Sequence, residues 1–290
     1  MRNRTDSSLR TRGPEQDESR LVLMPTRENP PHEARKVVVT GASGLVGSAL
    51  CNALLDLGDE VVGLSRSPEK AAQSQPAVKW FGWESTKERP PTEALDGAYA
   101  VIHLAGEPIN QRWNEGVKDK IARSRIKSTR NMAEAINTSD NPPSVFLSGS
   151  AIGYYGDRGD ELLYEDAGPG DDFLAGVVVE WEAAADTVTG VDTRVAKIRT
   201  GHVLDPNGGL LGELLTPFKL GIGGPIASGK QYMSWIHRDD EVGILLWALE
   251  NEAAVGPINA SAPNPVTNKE FSKRLGKSIN RPAFMPVPGF

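Results

Sequence analysis

The sequence predicts an α/β fold, with a doubly wound parallel sheet followed by a smaller C-terminal region. Short β-branched runs alternate with helical patterns between residues 35 and 200, which is typical of a parallel sheet with helices on both faces. A glycine-rich segment separates the first run from the first helix. Beyond residue 200, closely spaced glycines interrupt the chain, and we expect the regular alternation to end there.

The strands are predicted from their composition. Residues 36–40, KVVVT, form the first β-branched run, and residues 60–65 form the second. Residues 98–104 are apolar apart from Tyr99 and His103, which is typical of a strand buried on both faces. The other predicted strands are 78–81, 144–150, 193–199 and 257–260.

The helices are predicted from the helical spacing of apolar residues. Between Leu45 and Leu57 these residues recur at i, i+3 and i+4, and Gly58 ends the helix. Thr267 and Asp239 are predicted to cap the helices that begin beside them. The other predicted helices are 114–137, 172–187, 239–251 and 268–276.

Composition argues against several functional classes. The net charge of −6 opposes nucleic-acid binding, which needs a basic surface. No apolar run approaches the roughly 18–20 residues that a membrane-spanning helix requires, so no membrane partner is expected. A single cysteine, Cys51, cannot form an internal disulfide, which fits a reducing compartment and predicts a cytoplasmic protein.

Residues 1–34 differ in composition from the rest of the chain. They are rich in Arg, Glu, Ser and Pro and show no sustained period, so we predict a disordered tail or a linker from an upstream or fused domain. A transit peptide is the alternative, but such peptides avoid acidic residues. This segment contains Glu15, Asp17, Glu18, Glu28 and Glu33.

The glycine-rich segment predicts a dinucleotide site of the Rossmann type. Residues 40–47, TGASGLVG, have the G-x-x-G-x-x-G spacing between a predicted strand and a predicted helix. Gly41 permits the tight turn, Gly44 lets the backbone approach a pyrophosphate, and Gly47 lets the helix pack closely. Free N–H groups at the helix N-terminus then face the phosphates. The predicted cofactor contacts are Gly41, Ser43, Gly44, Leu45, Val46 and Gly47.

The end of the second strand predicts which dinucleotide binds. Proteins that select NAD usually place an acidic residue there for the ribose 2′-hydroxyl. This chain has Ser65-Arg66-Ser67 instead. Because arginine binds phosphate through paired, charge-assisted hydrogen bonds, Ser65 and Arg66 predict NADP, with NAD less favoured.

Further motifs resemble a known superfamily. After the glycine-rich segment come HLAGE at 103–107 and SGSA at 148–151, an order that resembles the extended short-chain dehydrogenase/reductases. Three strings narrow the resemblance: GEPI with a following Arg-Trp at 106–113, SAIGYYG at 150–156, and SWIH with a following Asp-Asp at 234–240. They are similar to the atypical epimerase-family proteins often labelled nucleoside-diphosphate-sugar epimerase or cell-division inhibitor.

The resemblance implies site residues that spacing alone does not give. Ser150 would take the position of the catalytic serine. Arg199 and Thr200 would lie beside the nicotinamide and the substrate. The cofactor residues implied after the fourth strand are Leu104, Ala105, Gly106 and Glu107.

The resemblance also bears on domains and assembly. The resemblance runs from about residue 35 to residue 290, and the change of pattern near residue 201 divides this stretch into an NADP-binding Rossmann domain at 35–200 and a substrate-side region at 201–290. Members usually continue past a segment like the PVPG at 286–289, so we expect a C-terminal truncation. Relatives often dimerise through the helices after strands four and five, so a homodimer is expected by analogy.

The catalytic pair of the superfamily is missing. A tyrosine four residues before a lysine places both on one helix face, where the phenol moves a proton. Here Phe173 and Val177 occupy these positions. We therefore predict Tyr154 or Tyr155 as the acid or base, assisted by Ser150. The alternative is that these groups bind substrate or stabilise a loop without chemistry.

Two functions follow from these motifs. The first is an NADP(H)-dependent oxidoreductase or epimerase acting on a small or sugar-like substrate, with Trp113 and Trp235 as candidates for a flat pocket. The second is a non-catalytic NADP(H)-binding sensor or scaffold. No metal is predicted, because zinc needs three or four ligands in a close pattern and no further histidine lies near His237 and the acids that follow it.

Overall fold

The structure is a computed structural model that describes residues 33–285. The prediction for the tail at 1–34 lies almost wholly outside the described residues, and so does the segment at 286–289. Within residues 33–285, no helix is both long and apolar enough to cross a membrane.

The strands are short, and their bounds in chain order are as follows. They are β1 (Lys36–Thr40), β2 (Glu60–Ser65), β3 (Lys79–Gly82), β4 (Ala100–His103), β5 (Val145–Ala151), β6 (Arg194–Thr200), β7 (His202–Asp205), β8 (Tyr232–Met233), β9 (Trp235–His237), β10 (Gly256–Ala260) and β11 (Val266–Thr267).

The described helices follow the same order. They are α1 (Leu45–Asp56), α2 (Pro68–Ser74), α3 (Thr92–Leu95), α4 (Glu115–Asn137), α5 (Phe173–Ala185), α6 (Gly209–Lys219), α7 (Arg238–Glu250) and α8 (Asn268–Ser278). A 3₁₀ helix at Ile152–Tyr155 follows β5 directly.

The central sheet confirms the predicted fold class. Seven strands lie in the order β10-β6-β5-β4-β1-β2-β3, and every neighbouring pair is parallel. The strand order reverses between β1 and β4. In a doubly wound sheet, the carboxyl ends of the strands at such a reversal form the ligand crevice.

Alternating side chains build one apolar layer on each face of the sheet. Val37 and Val39 of β1 pack with α1 and α7, whereas Val38 packs with α4 on the opposite face. Phe146 and Leu147 of β5 divide between the two layers in the same way. This two-sided burial explains why the strands form continuous apolar runs in the sequence.

The region after residue 200 contributes to the main sheet as well as to smaller elements. β10 pairs with β6, and α7 packs beside α1. β7 pairs with β9 in a separate parallel sheet, and β8 pairs with β11 antiparallel. Because β10 and α7 belong to the main sheet and its helices, the division into two domains at residue 200 stays a prediction. The helix α6 was not predicted from the glycine-rich sequence.

The predicted caps have mixed outcomes. Thr267 accepts a hydrogen bond from the Glu270 N–H and caps α8, as predicted. The prediction for Asp239 is wrong, because His237 caps α7 by accepting from the Asp239 N–H through Nδ1. A histidine ring reaches this N–H from the preceding strand, and Asp239 itself lies in the first turn of the helix, where it pairs with Arg238.

Candidate functional site

The turn between β1 and α1 requires glycine at two positions. Gly41 has φ of +65°, and a Cβ there would lie 2.8 Å from the Leu104 carbonyl oxygen. A Cβ on Gly47 would collide with the Gly41 carbonyl group. These contacts bring the start of α1 against the turn, at the carboxyl end of β1.

The N-terminus of α1 has no side-chain cap. Gly44 is its N-cap residue and has no side chain to offer, whereas Asn114 caps α4 and Asp172 caps α5 through their side chains. Ser43 and Gly44 are exposed. Backbone N–H groups at an uncapped helix N-terminus favour an anion, and the contacts of residues 41–47 with a phosphate stay a prediction. We refer to residues 41–47 as the glycine cradle.

The end of β2 presents a free cation beside this cradle. The Ser65 hydroxyl accepts a hydrogen bond from the Ser67 N–H at 3.1 Å, which shapes the turn into α2. Arg66 between them is exposed. It takes part in none of the ion pairs or side-chain hydrogen bonds of residues 33–285. A guanidinium in this state suits a phosphate ligand.

A buried histidine fixes the loop after β4. The Thr40 hydroxyl lies 2.8 Å from His103 Nδ1 and accepts from the Ala105 N–H at 3.1 Å. Ser128 Oγ lies 3.1 Å from His103 Nε2. Burial lowers the pKa of His103 to about 4, so the ring is neutral. His103 thus has a structural role, which agrees with its expected place in a buried strand.

The loop after β4 rests on α4. The Glu107 N–H donates to Ser124 Oγ at 2.9 Å, and Arg125 donates to the Glu107 carbonyl oxygen at 2.9 Å. Arg125 also lies over the Trp181 ring, 5.3 Å from its centroid. Leu104, Ala105 and Glu107 are half-buried and Gly106 is exposed at this edge of the crevice. Their predicted contact with the cofactor stays a prediction.

A buried ion pair dominates the end of β5 and β6. Arg199 donates to both carboxylate oxygens of Glu182 on α5, at 2.8 and 2.9 Å. The Ser150 hydroxyl donates to the same carboxylate at 2.6 Å. Burial lowers the pKa of Arg199, but the hydrogen bonds to Glu182 and Tyr155 and the charge of Glu182 outweigh burial and raise it.

The two predicted tyrosines lie in different environments. The Tyr155 hydroxyl is buried, accepts from Arg199 at 2.8 Å and donates to Asn259 Oδ1 at 2.6 Å. Tyr154 is half-buried, and its ring stacks on the Arg199 guanidinium at 3.6 Å. Arg158, which has the Tyr-x-x-x-Arg spacing from Tyr154, pairs with Glu161 instead. Both tyrosines lie in the 3₁₀ helix Ile152–Tyr155.

An aromatic surface stands where the catalytic pair was expected. Phe173 is the first residue of α5, and Val177 is buried. The Trp113 ring meets Phe173 edge to face, with centroids 5.5 Å apart, and its indole N–H donates to the Ile109 carbonyl at 2.8 Å. The Lys118 ammonium lies 5.5 Å from the Phe173 centroid.

Trp235 does not share this contact in the structure. It lies in β9, and its indole N–H donates to the Asn264 carbonyl at 3.1 Å.

Among residues 33–285, no group of three or more His, Cys, Asp or Glu side chains is placed to hold a metal ion.

On the opposite face of the sheet, a second carboxyl meets the end of β6. Thr200 Oγ1 donates to Glu241 Oε1 on α7 at 2.7 Å, and Glu241 is 1% exposed. Burial raises the pKa of Glu241 to about 7, and the hydrogen bond from Thr200 partly offsets that rise.

Glu182, Asn259, Arg125 and Glu241 were missed by sequence reasoning because their partners are distant in the chain. Glu182 is 32 residues from Ser150, and Asn259 is 104 residues from Tyr155. No local motif links such pairs. The available signal was an acid inside an apolar stretch, as Glu182 stands in WEAAA and Glu241 before VGILLWAL.

Comparison with protein families gives one match across most of the chain. A model of the NAD dependent epimerase/dehydratase family matches residues 37–260. The Arabidopsis thaliana protein called epimerase family protein SDR39U1 homolog, chloroplastic, is 40% identical over 256 residues, covering 88% of this chain and 74% of the relative.

Solved structures of two relatives share the fold. Human epimerase family protein SDR39U1 (isoform 2), crystallised with NADPH, aligns with a TM-score of 0.77 and 38% identity, over 87% of this chain and 83% of that one. A nucleoside-diphosphate sugar epimerase from Corynebacterium glutamicum aligns with a TM-score of 0.71 and 37% identity, over 88% and 53%.

Proposed function

This chain belongs to the NAD-dependent epimerase/dehydratase family, and from that premise we propose that it binds NADPH and acts as an oxidoreductase or epimerase on a small or sugar-like substrate. Two neighbouring features support NADPH binding: α1 begins without a side-chain cap, and Arg66 at the end of β2 is exposed and forms no ion pair within residues 33–285. The bound cofactor would supply a hydride donor or acceptor, and the chain would supply its orientation and the proton.

The residues present fit that cofactor. The glycine contacts at Gly41 and Gly47 clear the backbone path for a pyrophosphate, and Arg66 gives a 2′-phosphate a cationic partner. NADP is therefore proposed over NAD. Leu45 and Val46 begin α1 and are half-buried, at the level where the dinucleotide would cross the sheet edge.

The substrate is proposed to lie against Trp113 and Phe173. The indole N–H bond to the Ile109 carbonyl fixes the orientation of the Trp113 ring, and Trp113 is 39% exposed. Both α4 and α5 begin here, at the carboxyl edge of the sheet. A fixed aromatic surface with Lys118 beside it suits a ring-shaped polar substrate, such as a sugar, better than an extended apolar chain.

Tyr154 is proposed as the group that moves a proton, with Ser150 and Tyr155 holding its surroundings. Both hydrogen-bonding directions of the Tyr155 hydroxyl are engaged, and the Ser150 proton is committed to Glu182. Tyr154 keeps the more exposed position of the two phenols. We expect Tyr154→Phe to lower turnover by roughly 10²–10⁴-fold, the usual contribution of general acid–base catalysis.

The second candidate function is a non-catalytic NADP(H)-binding sensor or scaffold. The observation that favours it is the absence of an ionisable group at Phe173 and Val177. Under this function, purified protein would bind NADPH but would oxidise none with a panel of sugar aldehydes, nucleotide sugars and small ketones. The sensor or scaffold function would be rejected if wild type turned over any compound of this panel and the Tyr154→Phe variant did not.

The cofactor proposal is tested by calorimetric titration with NADPH and NADH. In the Arg66→Ala variant, we expect NADPH binding to weaken by about 1–3 kcal/mol, as for a lost charge-assisted contact, while NADH binding stays the same. Arg130→Ala, at an exposed arginine of α4, is the matched control. Equal losses for both nucleotides, or none, would reject Arg66 as the 2′-phosphate contact.

Assembly and location are also proposals. α4 and α5 pack together and leave a shallow surface that includes Ile126 and Glu180, and we propose this face for a homodimer. Light scattering of Ile126→Glu against wild type tests it. A cytoplasmic location and an upstream or fused domain stay predictions, and the Arabidopsis relative is named as chloroplastic.

A further inference from the structure

Glu241 is a buried acid with half of its hydrogen-bonding capacity unused. Its Oε1 accepts from Thr200, but Oε2 is buried and has no hydrogen-bond partner within residues 33–285. A buried carboxylate oxygen without a donor is costly, so selection for stability alone favours an apolar residue here. A role for the charge of this residue would explain its presence.

Within residues 33–285, the surrounding elements supply no counter-charge to Glu241. α7 packs against α1, β5, β6, β7 and β9, and none of these brings a cation to Glu241 among the described residues. On β6, Lys197 and Arg199 pair with Asp186 and Glu182. Arg194, also on β6, donates to the backbone carbonyls of Ala248, Leu249 and Ala254. The remaining groups on these elements and on the first turn of α7 are Cys51, Asp56, His202, Asp205, His237, Arg238, Asp239 and Asp240.

Those remaining groups do not supply the missing partner. Burial raises the pKa of Cys51 to about 12 and lowers the pKa of His202, so both are neutral near pH 7. Asp205 pairs with Arg238 at 2.7 Å. The ionisation of Glu241 is therefore governed by burial and by Thr200, and its pKa of about 7 places the change near neutral pH.

Thr200 connects this acid to the proposed cofactor site. It ends β6. Because Arg66 at the end of β2 is the proposed 2′-phosphate contact and the pyrophosphate is proposed at the β1–α1 turn, the nicotinamide half of the cofactor would extend along the crevice toward β4, β5 and β6. The oxidised nicotinamide ring carries a positive charge and the reduced ring is neutral. A carboxylate in a low-dielectric interior stabilises the charged ring, whereas a protonated carboxyl group does not distinguish the two.

We propose that Glu241, acting through Thr200, is a specificity-determining residue that sets the preference of this site between NADP⁺ and NADPH. The inference rests on the proposed function. Ionised Glu241 favours NADP⁺, and protonated Glu241 removes that preference. Binding of NADP⁺ then releases a fraction of a proton near neutral pH, and binding of NADPH does not.

The test measures the ratio of the dissociation constants of NADPH and NADP⁺ at pH 6 and pH 8 by calorimetry on the full chain. For wild type, this ratio is expected to be about tenfold higher at pH 8 than at pH 6. A tenfold change corresponds to a shift of about one unit in the pKa of Glu241 when NADP⁺ binds. Because both forms carry the same 2′-phosphate, its titration cancels in the ratio. Glu241→Gln should give a ratio that is independent of pH.

Asp239→Asn is the matched control, since Asp239 is an exposed carboxylate on the same helix, and it should keep the wild-type response. A wild-type response retained by Glu241→Gln would overturn the inference. Wild-type proton release, measured in two buffers of different ionisation enthalpy, gives a second check that needs no variant. Equal release for both forms would also overturn it. Failure of both nucleotides to bind would reject the proposed function itself.

Discussion

The helices α1 and α5 both begin at the ligand edge of the sheet, yet their first turns differ. Asp172 caps α5 by accepting from the Ala175 N–H at 2.9 Å, whereas α1 begins at Gly44 with no side-chain cap. The same contrast holds for two arginines. Arg66 is free of ion pairs among the described residues, whereas Arg199 is buried against Glu182.

This difference separates binding from support. Around α1, exposed backbone N–H groups have no side-chain acceptor, so they are available to an anionic ligand that replaces water. Around α5, the protein satisfies its own polar groups through the Ser150, Glu182, Arg199 and Tyr155 network. Variants in the first region should therefore change affinity, and variants in the second should change stability.

The largest expected effect comes from breaking the buried ion pair. Arg199→Met leaves the buried Glu182 carboxylate without its cationic partner, so we expect a loss of about 3–5 kcal/mol in the free energy of unfolding. Urea denaturation measures it. Lys197→Met, at the partly exposed pair with Asp186, is the control and should cost about 1 kcal/mol or less. Equal losses of unfolding free energy in Arg199→Met and Lys197→Met would contradict the structural role assigned to the Arg199–Glu182 pair.

The next effect tests the glycine cradle. Gly47→Ala places a Cβ against the backbone of Gly41. Because overpacking costs roughly 1–3 kcal/mol, we expect the free energy of unfolding to fall by an amount near the upper end of that range. We also expect the affinity for NADPH to fall at least tenfold. Gly243→Ala on α7 meets no neighbour and should stabilise the protein slightly. Calorimetry and thermal unfolding of both variants check this. Normal NADPH binding by Gly47→Ala would refute the cradle.

A pH effect of about 2 kcal/mol is expected from His103. The unfolded chain binds a proton there below about pH 6.5, whereas the folded pKa is about 4, so this stability is present above pH 6.5 and is lost as the pH falls. Between pH 7 and pH 5, wild type should lose about 2 kcal/mol more than His103→Gln, measured by urea denaturation. An equal loss of stability in wild type and His103→Gln between these pH values would contradict this prediction.

The smallest effect compares the helix caps. Asp172→Ala removes the cap of α5 and should cost about 1 kcal/mol, without a change in NADPH affinity. Asn114→Ala on α4 should cost a similar amount, since its side chain accepts from the Val117 N–H at 3.0 Å. Denaturation and NADPH titration of both measure this. Weaker NADPH binding by either variant would place these caps in the cofactor site.

The sequence predicted the parts of this molecule that local chemistry determines. The β1–α1 turn was predictable because Gly41 and Gly47 meet backbone atoms within the same short segment and at its neighbour Leu104. The α5 side was not predictable, because Ser150, Glu182 and Arg199 come together only through folding. α6 was missed because its sequence begins at Gly209, includes Pro217 and so lacks the usual helix signals.

β10 has a consequence for how the chain is made. It pairs with β6 from residues 256–260, and α7 covers the apolar layer beneath α1 just before it. During synthesis, β6 keeps an unpaired edge and one face of the sheet stays partly bare until about 60 further residues have emerged. The nascent chain therefore passes through an interval in which this edge is open to pairing with other chains, and the interval ends only when β10, the last strand of the central sheet, has left the ribosome.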